Sequence, residues 1–315
     1  MFSYQQPQKV CRIGNIEFGG QPGEKPPVLM GNIFQKGDVM LESRKEGRFN
    51  RHGTAERIYN LERVSRETGV PAMVAIVANS VDEIKRYIDF LVSITEMPFA
   101  IDVWMEKVRL GAAQYVSELG LQDRVLYNSI TPWDKDLDGQ IAEIKQLGIK
   151  HVVVQVFSEE DKGPHGRVQS LKSLLPAIEK GGFESILIDT SIMNLPTTSL
   201  SLMANHLIKQ EFGFPAGFAP SNGTYMWRKA AGEMGMANFP AVDAGVHAVS
   251  ALLSDFLLFG PLSGTQRVFP AVAAAHSMMT ALAFEEKGLM PADNHPLALM
   301  FPDVLEQFKK QKGEG

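Results

Sequence analysis

The stretch "SILIDTSIMN", residues 185–194, joins an unbroken aliphatic run to a carboxylate. Ile186, Leu187 and Ile188 are continuous rather than alternating, which is how a strand reads when both its faces are covered, as in a parallel sheet. Asp189 ends the run, with Thr190 and Ser191 behind it. A lone aspartate in that place ordinarily caps the next helix. Here Pro196 and Thr197 supply the helix start several residues later, which leaves Asp189 unassigned.

The pattern recurs. Runs of the same kind are "VLMGNIF" (28–34), "AMVAIVA" (72–78), "FAIDVW" (99–104), "RVLYNSI" (124–130), "HVVVQVF" (151–157), "PAGFAPS" (215–221) and "DFLLFGP" (255–261). Segments with helical spacing lie between them. Ser80 and Glu83 form a capping box ahead of Ile84, Tyr87, Ile88 and Leu91. Ile58, Leu61 and Val64 stripe another helix, which stops at Gly69 before Pro71. Eight such runs with helical crossovers predict an α/β fold, a (β/α)8 TIM barrel. A doubly wound open sheet alternates in the same way, but the count is eight and no G-x-G-x-x-G follows the first strand. "CRIGNIEFGG" (11–20) reads as an N-terminal hairpin turning at Gly14-Asn15 and plugging the barrel floor. Residues 296–311 read as an extra C-terminal helix, and 1–315 as one domain.

Composition narrows the function classes. The 315 residues carry a net charge of −5 with scattered Lys and Arg, so no nucleic-acid partner is expected. Cys11 is the single cysteine, which excludes an internal disulfide and a thiolate metal cluster and agrees with a reducing cytoplasm. "MFSYQQPQKV" lacks the apolar core of a signal peptide. "AVSALLSDFLLFGPL" (248–262) is interrupted by Asp255 and falls short of a span, so no membrane association is expected.

Asp189 has counterparts at the other strand ends: Asp102, Asn128, Gln155 and Asn222. In a (β/α)8 barrel these ends converge on one mouth, where active sites sit. Each has a plainer reading. Asp102 could cap the helix near Met105, Gln155 could be a structural barrel side chain, and Asn222 in "PSNGT" could shape a turn. Asn128 is freer, because Thr131, Pro132 and Asp134 already supply an N-cap, an N1 proline and an N3 acid. The set contains no histidine, cysteine or lysine, so no metal site, Schiff base or nucleophile–base pair is expected of it. Carboxylates and carboxamides suit a flat heterocycle that displays amino, ring N–H and carbonyl groups. A pterin offers that edge.

The motifs "GGQPGE", "YIDF" followed by "PFAID", and "YNSI" stand in one order and spacing. With "IGNIEFGGQPGEKPPVLMGNIF" and the strand-six aspartate they resemble the H-subunit family of tetrahydromethanopterin S-methyltransferase, over nearly the whole chain. Within that family the sequence is similar to soluble bacterial members that move methyl groups between a corrinoid protein and tetrahydrofolate, such as those of glycine betaine demethylation. The resemblance implies that Asp102, Asn128 and Asp189 hold the pterin, and Gln155 is counted with them from its place at a strand end. It also implies that Asn222 approaches N5, and Asn222 and Asp189 are expected to carry the catalytic role. The reaction implied is methyl exchange between a methylcorrinoid and N5 of tetrahydrofolate. "DNHPLA" (293–298) departs from a cobalamin loop and few residues follow it, so the corrinoid is expected on a partner protein, and His295 reads as a surface or helix-start residue. Alternatives are a tetrahydromethanopterin-linked subunit, a non-catalytic subunit that docks a corrinoid protein, or a dihydropteroate synthase. A homodimer in the cytoplasm is expected.

Family members follow the first aspartate with small hydroxylated residues, whereas Val103 and Trp104 stand here. Trp104 and Trp133 are read as buried loop packing, or else as lining the mouth. "KGPHGR" (162–167) reads as a mobile mouth loop whose Arg167 meets the folate tail. "GPLSGT" (260–265) is a candidate phosphate loop.

Overall fold

A computed structural model describes residues 3–313, so the ends of the expected 1–315 domain lie outside the described residues. The first half contains β1 (Val10–Ile13), β2 (Ile16–Gly19), β3 (Val28–Ile33), β4 (Leu41–Ser43), β5 (Arg48–Phe49), α1 (Arg51–Thr68), β6 (Ala72–Ile76), α2 (Val81–Ile94), β7 (Phe99–Asp102), α3 (Glu106–Glu118), β8 (Val125–Ile130) and α4 (Leu137–Gln146). The second half contains β9 (His151–Gln155), α5 (Pro164–Gly181), β10 (Ser185–Asp189), α6 (Thr198–Phe212), β11 (Ala216–Phe218), α7 (Pro220–Ala230), α8 (Gly232–Ala251), β12 (Phe256–Pro261), α9 (Thr265–Lys287), α10 (Pro296–Met300) and α11 (Pro302–Lys312).

The eight apolar runs are the eight strands of a closed barrel, in the order β3, β6, β7, β8, β9, β10, β11, β12, with β12 pairing back to β3. Every pair is parallel. The runs are continuous because both faces are covered. One face packs under the helices through Leu29, Val74, Ile101, Tyr127 and Val154. The other fills the lumen with Met30, Met73, Ala75, Ala100, Leu126, Val153 and Leu187. The antiparallel hairpin of β1 and β2 closes the floor. Its Ile13, Ile16 and Phe18 join the lumen cluster, and Gly14 N–H donates to the Asp123 carbonyl at 2.8 Å. Gly14 takes φ 55°, the left-handed conformation that the tight turn requires.

Several elements differ from the sequence reading. The crossover after β3 contains a second hairpin, β4 and β5, pinned by Phe34 and Phe49 against Tyr87. Two helices rather than one follow β11, and the C-terminal helix is split into α10 and α11. Helix α4 starts at Leu137 with Asp136 as its cap, accepting from Gly139 N–H at 2.9 Å. Thr131 to Asp134 instead close a turn, with Thr131 N–H on Asp134 Oδ2 at 2.8 Å. Helix α9 is long and apolar enough to cross a membrane, and just over half of that stretch is buried in the protein. Its apolarity serves the contact with the barrel wall through Val268, Phe269, Val272 and Ala273.

His295 is the N-cap of α10, as a helix-start residue, but it is buried rather than on the surface. Its Nδ1 accepts from Leu297 N–H at 3.0 Å, which leaves Nε2 to donate to His276 Nδ1 at 3.0 Å. Burial lowers His295 to about 4 and, with His295 alongside, His276 to about 3. The two rings form a neutral tie between α9 and α10.

A buried ion pair secures the floor. Lys209 of α6 donates to both oxygens of Asp255, at 2.6 and 2.7 Å, and to the Gly20 carbonyl at 3.1 Å. Replacing Lys209 with Met leaves Asp255 desolvated beside the start of β12. We expect a loss of about 3–5 kcal/mol, the cost of stranding one buried charge. Urea denaturation checks it, with a change of under about 1 kcal/mol contradicting the assignment.

Candidate functional site at the barrel mouth

Strand register brings the polar ends together. Asp102 of β7 lies opposite Asn128 of β8, and Gln155 of β9 lies opposite Asp189 of β10. Asp102 does not cap α3, whose N-cap is Met105. Each oxygen of its carboxylate instead takes one amide donor: Asn32 Nδ2 at 2.6 Å on Oδ2 and Asn128 Nδ2 at 3.1 Å on Oδ1. Burial raises the Asp102 carboxyl above its usual range, and the Asn32 hydrogen bond pulls it partly back.

Asp189 is pushed up to about 6. Burial is the main cause; the Ser191 N–H, donating to Oδ1 at 2.7 Å, and Arg167 oppose it, while the charge of Asp102 adds to it. The two carboxylates therefore sense each other across the mouth. Ser191 holds φ 48°, a left-handed conformation that costs a non-glycine residue and is kept here by its bond to Asp189.

Neither carboxylate has a salt bridge among the described residues. Arg167, expected at a ligand tail, is wholly buried, and its guanidinium is spent on backbone carbonyls. Nε donates to Thr190 at 2.5 Å, and the other nitrogens donate to Lys162, Gly163 and Ser191. It is a clamp beneath the mouth, and "KGPHGR" is not a free loop, because Pro164 already begins α5. "GPLSGT" forms a short 3-10 turn leading into α9, and no side chain caps either helix start.

Gln155 is a brace. Its Oε1 accepts from Ser129 Oγ at 3.4 Å, and its Nε2 donates to Ser191 Oγ at 3.1 Å, linking the end of β8 to the loop after β10. This favours the structural reading of that residue. Asn222 is not in a turn. Pro220 is the first residue of α7, which places Asn222 on the first helical turn at the end of β11, with its side chain exposed. That turn is anchored from behind: Ser221 Oγ donates to the Leu258 carbonyl at 3.0 Å and Thr224 Oγ1 to Asp243 at 2.6 Å. Gly223 allows close approach to the loop after β10, since a Cβ there would lie 3.0 Å from the Leu195 backbone. Asn222 thus stands beside the Asp189 loop, although no hydrogen bond joins the two among the described residues.

Asn32 is the site residue that the sequence reading passed over. It occupies the same place, one polar residue near the end of an apolar run, as Asp102 and Asn128 do. Trp104 and Trp133 are not buried loop packing: they are 76% and 45% exposed at the mouth. A separate cleft of about 800 Å³ opens at the opposite end of the barrel, between the β1–β2 hairpin, α1 and α10. Its charges are mixed, with Lys25 paired to Glu17 at 3.0 Å, and it shares no residue with the mouth. No group of three or more His, Cys, Asp and Glu is placed to hold a metal ion among the described residues.

Desolvated carboxylates that form no salt bridge favour further N–H donors, since a buried acceptor with lone pairs to spare carries part of its desolvation cost until a donor arrives. The mouth also presents the Asn128 amide, which can donate and accept. This arrangement matches an uncharged ring with adjacent N–H and amino groups and disfavours an anionic headgroup.

Because Asp189 must be ionised to accept such donors, affinity for that ligand should be constant above about pH 7 and fall below about 6. For one ionisation the loss is about tenfold between pH 7.5 and 5. The unliganded fold moves the other way. A raised folded-state pKa means the folded chain binds the proton more tightly, so stability is gained as pH falls from about 6 toward the ordinary 3.8. Calorimetric titration across that range checks the first effect, and a slope that persists in Asp189→Asn would assign it elsewhere.

Fold and mouth together define a TIM barrel whose strand ends gather carboxylates and amides, a donor–acceptor set suited to a neutral heterocycle. A family model described as "Tetrahydromethanopterin S-methyltransferase MtrH subunit" matches residues 6–291. A protein of Methanosarcina acetivorans, named as the H component of a putative mtx methyltransferase, is 33% identical, covering 95% of this chain and all of its own. The corresponding H component of tetrahydromethanopterin S-methyltransferase from Methanopyrus kandleri is 31% identical, over 94% of this chain and 98% of its own. Among solved structures, a dihydropteroate synthase of Xanthomonas albilineans aligns with a TM-score of 0.60 at 16% identity, covering 88% of this chain and 98% of its own. One from Yersinia pestis gives 0.62 at 11% identity, over 87% and 100%. These structural likenesses support the barrel fold. The chain belongs to the MtrH family, and it is a methyltransferase.

Proposed function

We propose that this protein transfers a methyl group to or from N5 of a reduced pterin seated on Asp102, Asn128 and Asp189. The observation that carries the reading is the desolvated Asp102, held between two amides and next to a second carboxylate that makes no salt bridge among the described residues. The family description and the relatives' names support a pterin, and they favour tetrahydromethanopterin over the tetrahydrofolate that the sequence reading put first. A dihydropteroate synthase reaction is disfavoured, because its pyrophosphate needs cations and Arg167 is already committed to carbonyls.

On this reading the partner is a corrinoid protein, and a bound corrinoid supplies a cobalt centre able to accept or release the methyl group. The chain's own residues do the rest. Asp102 and Asp189 accept the ring's N–H and amino donors, Asn128 fixes the ring's orientation, and Asn32 keeps Asp102 aimed. Asn222, on the anchored first turn of α7, donates its amide to N5 as charge changes there. Its effect is electrostatic and positional, since an amide is no proton source. We include a homodimer in the cytoplasm in the proposal. Val249 of α8 and Met278 and Leu282 of α9 are exposed apolar residues that a second copy would cover.

Calorimetry with tetrahydromethanopterin and tetrahydrofolate, followed by transfer assays with methylcobalamin, tests the reading. Binding of at least one pterin with turnover is expected. Binding without turnover by a natural corrinoid protein would favour a docking role, and binding of neither pterin would sink the proposal.

A further inference from the structure

We infer that Trp104 and Trp133 form an aryl subsite, a stacking platform for the aromatic ring on the tail of a pterin held at the mouth. The inference rests on the pterin reading and extends it to a part of the ligand that Asp102, Asn128 and Asp189 do not touch.

Position comes first. Trp104 lies two residues beyond Asp102 and Trp133 five beyond Asn128, and those two strand ends are register partners. The indoles therefore stand on adjacent loops above one edge of the site. Their ring centroids are 6.1 Å apart and their planes are tilted by 34°, which leaves an open wedge rather than a closed stack. A planar aryl ring can lie against one indole face and meet the other edge-on, the arrangements aromatic rings prefer.

The wedge is built from below. Arg109 of α3 is buried, and its Nη1 donates to the carbonyls of Val103 and Trp104 at 2.9 and 3.1 Å. Its Nη2 faces Asp134, the neighbour of Trp133, at 3.5 Å, and its guanidinium lies over the Tyr127 ring at 5.3 Å. Gln140 completes the set: with its amide turned so that both ends are satisfied, it donates to Asp134 Oδ2 at 3.0 Å and accepts from Arg109 at 3.0 Å and from the Tyr127 hydroxyl at 3.3 Å. One buried guanidinium thus ties both tryptophan loops together. Apolar surface gains by leaving water, and loops serving stability alone would turn at least one indole inward. Here an internal polar network fixes the two loops from which both indoles project outward.

The chemistry on offer is selective. The polar mouth recognises the ring edge, and the wedge recognises a flat, neutral aryl group joined to it by a short linker. Reduced pterins that carry methyl groups at N5, both the folate and the methanopterin type, have such an arylamine on the side chain.

The test compares two ligands on the whole protein. One is whichever of tetrahydrofolate and tetrahydromethanopterin binds more tightly. The other is 6-methyltetrahydropterin, which keeps the ring and lacks the aryl tail. In the Trp104→Ala, Trp133→Ala variant, whose altered side chains are largely at the surface, the aryl-bearing pterin should bind about tenfold or more weakly, the effect of losing a stacking partner. 6-Methyltetrahydropterin should bind as it does to the wild type. Tryptophan fluorescence of the wild type should be quenched more by the first ligand than by the second. Unchanged affinity for the aryl-bearing pterin would overturn the inference, and so would equal losses for both. A wild type that binds neither ligand would sink the pterin reading beneath it, a failure distinct from the other two.

Discussion

Asp189→Ala should weaken pterin binding by about 2–4 kcal/mol, or roughly 30- to 1000-fold, the range for removing one partner of a buried, charged hydrogen-bond set. The expectation follows from the state of the carboxylate before ligand arrives. Asp189 is desolvated, pushed up to about 6, and has the Ser191 N–H but no salt bridge among the described residues. In Asp189→Asn the acceptor for Ser191 survives, yet the amide turns N–H groups toward a ligand that itself brings donors. That variant should lose affinity while the unliganded fold becomes as stable as the wild type or more so, because a buried charge has gone. Affinity by calorimetry and stability by thermal denaturation should therefore separate. Parallel losses in both would mark Asp189 as structural, and unchanged affinity would remove it from the site.

The second large effect concerns Asn222. Asn222→Ala should slow methyl transfer by about 10²-fold or more, the usual cost of losing one preorganised donor at a site of charge change. Binding should hold nearly steady, since Asp102, Asn128 and Asp189 anchor the other edge of the ring. The helical position sharpens the test. An exposed Asn in a helix is a poorer helix former than Ala by up to about 0.7 kcal/mol, so the variant should be as stable as the wild type or slightly more so. A rate loss therefore cannot be put down to a damaged turn. Single-turnover transfer from methylcobalamin measures it, and equal falls in kcat and kcat/KM would place the interaction in the transition state. A near-normal rate would leave Asn222 as a bystander on the rim.

The barrel was legible because its strands are buried on both faces, so each appears as a continuous apolar run. The mouth was partly legible for a related reason: a carboxylate or amide ending such a run has no role in the core. That logic reaches Asp102, Asn128 and Asp189 and would have reached Asn32 in "VLMGNIF". What stayed hidden depends on contacts distant in sequence. Asp134 looked like a helix residue, but it turns inward to Arg109, and Asp136 caps α4 instead. Arg167 looked like a loop cation, but the carbonyls that hold it belong in part to Thr190 and Ser191, more than twenty residues away. Helix α8 has no broad polar stripe and contains Pro240, so no 3.6-residue rhythm announced it. "PSNGT" carries turn residues, yet proline at the first helical position starts α7. The exposure of the two tryptophans follows from a buried arginine on a neighbouring helix, which no local pattern encodes.

A pterin that sits at the carboxyl ends of the strands, held through its N–H donors, should be visible bound there. The decisive measurement is a crystal structure of the protein with a bound tetrahydropterin. The pterin reading predicts the ring at the barrel mouth, with ring N–H and amino nitrogens within hydrogen-bond distance of the Asp102 and Asp189 carboxylates and the Asn128 amide. A ring bound in the cleft beneath the barrel floor, or at the mouth without contact to either carboxylate, would contradict it.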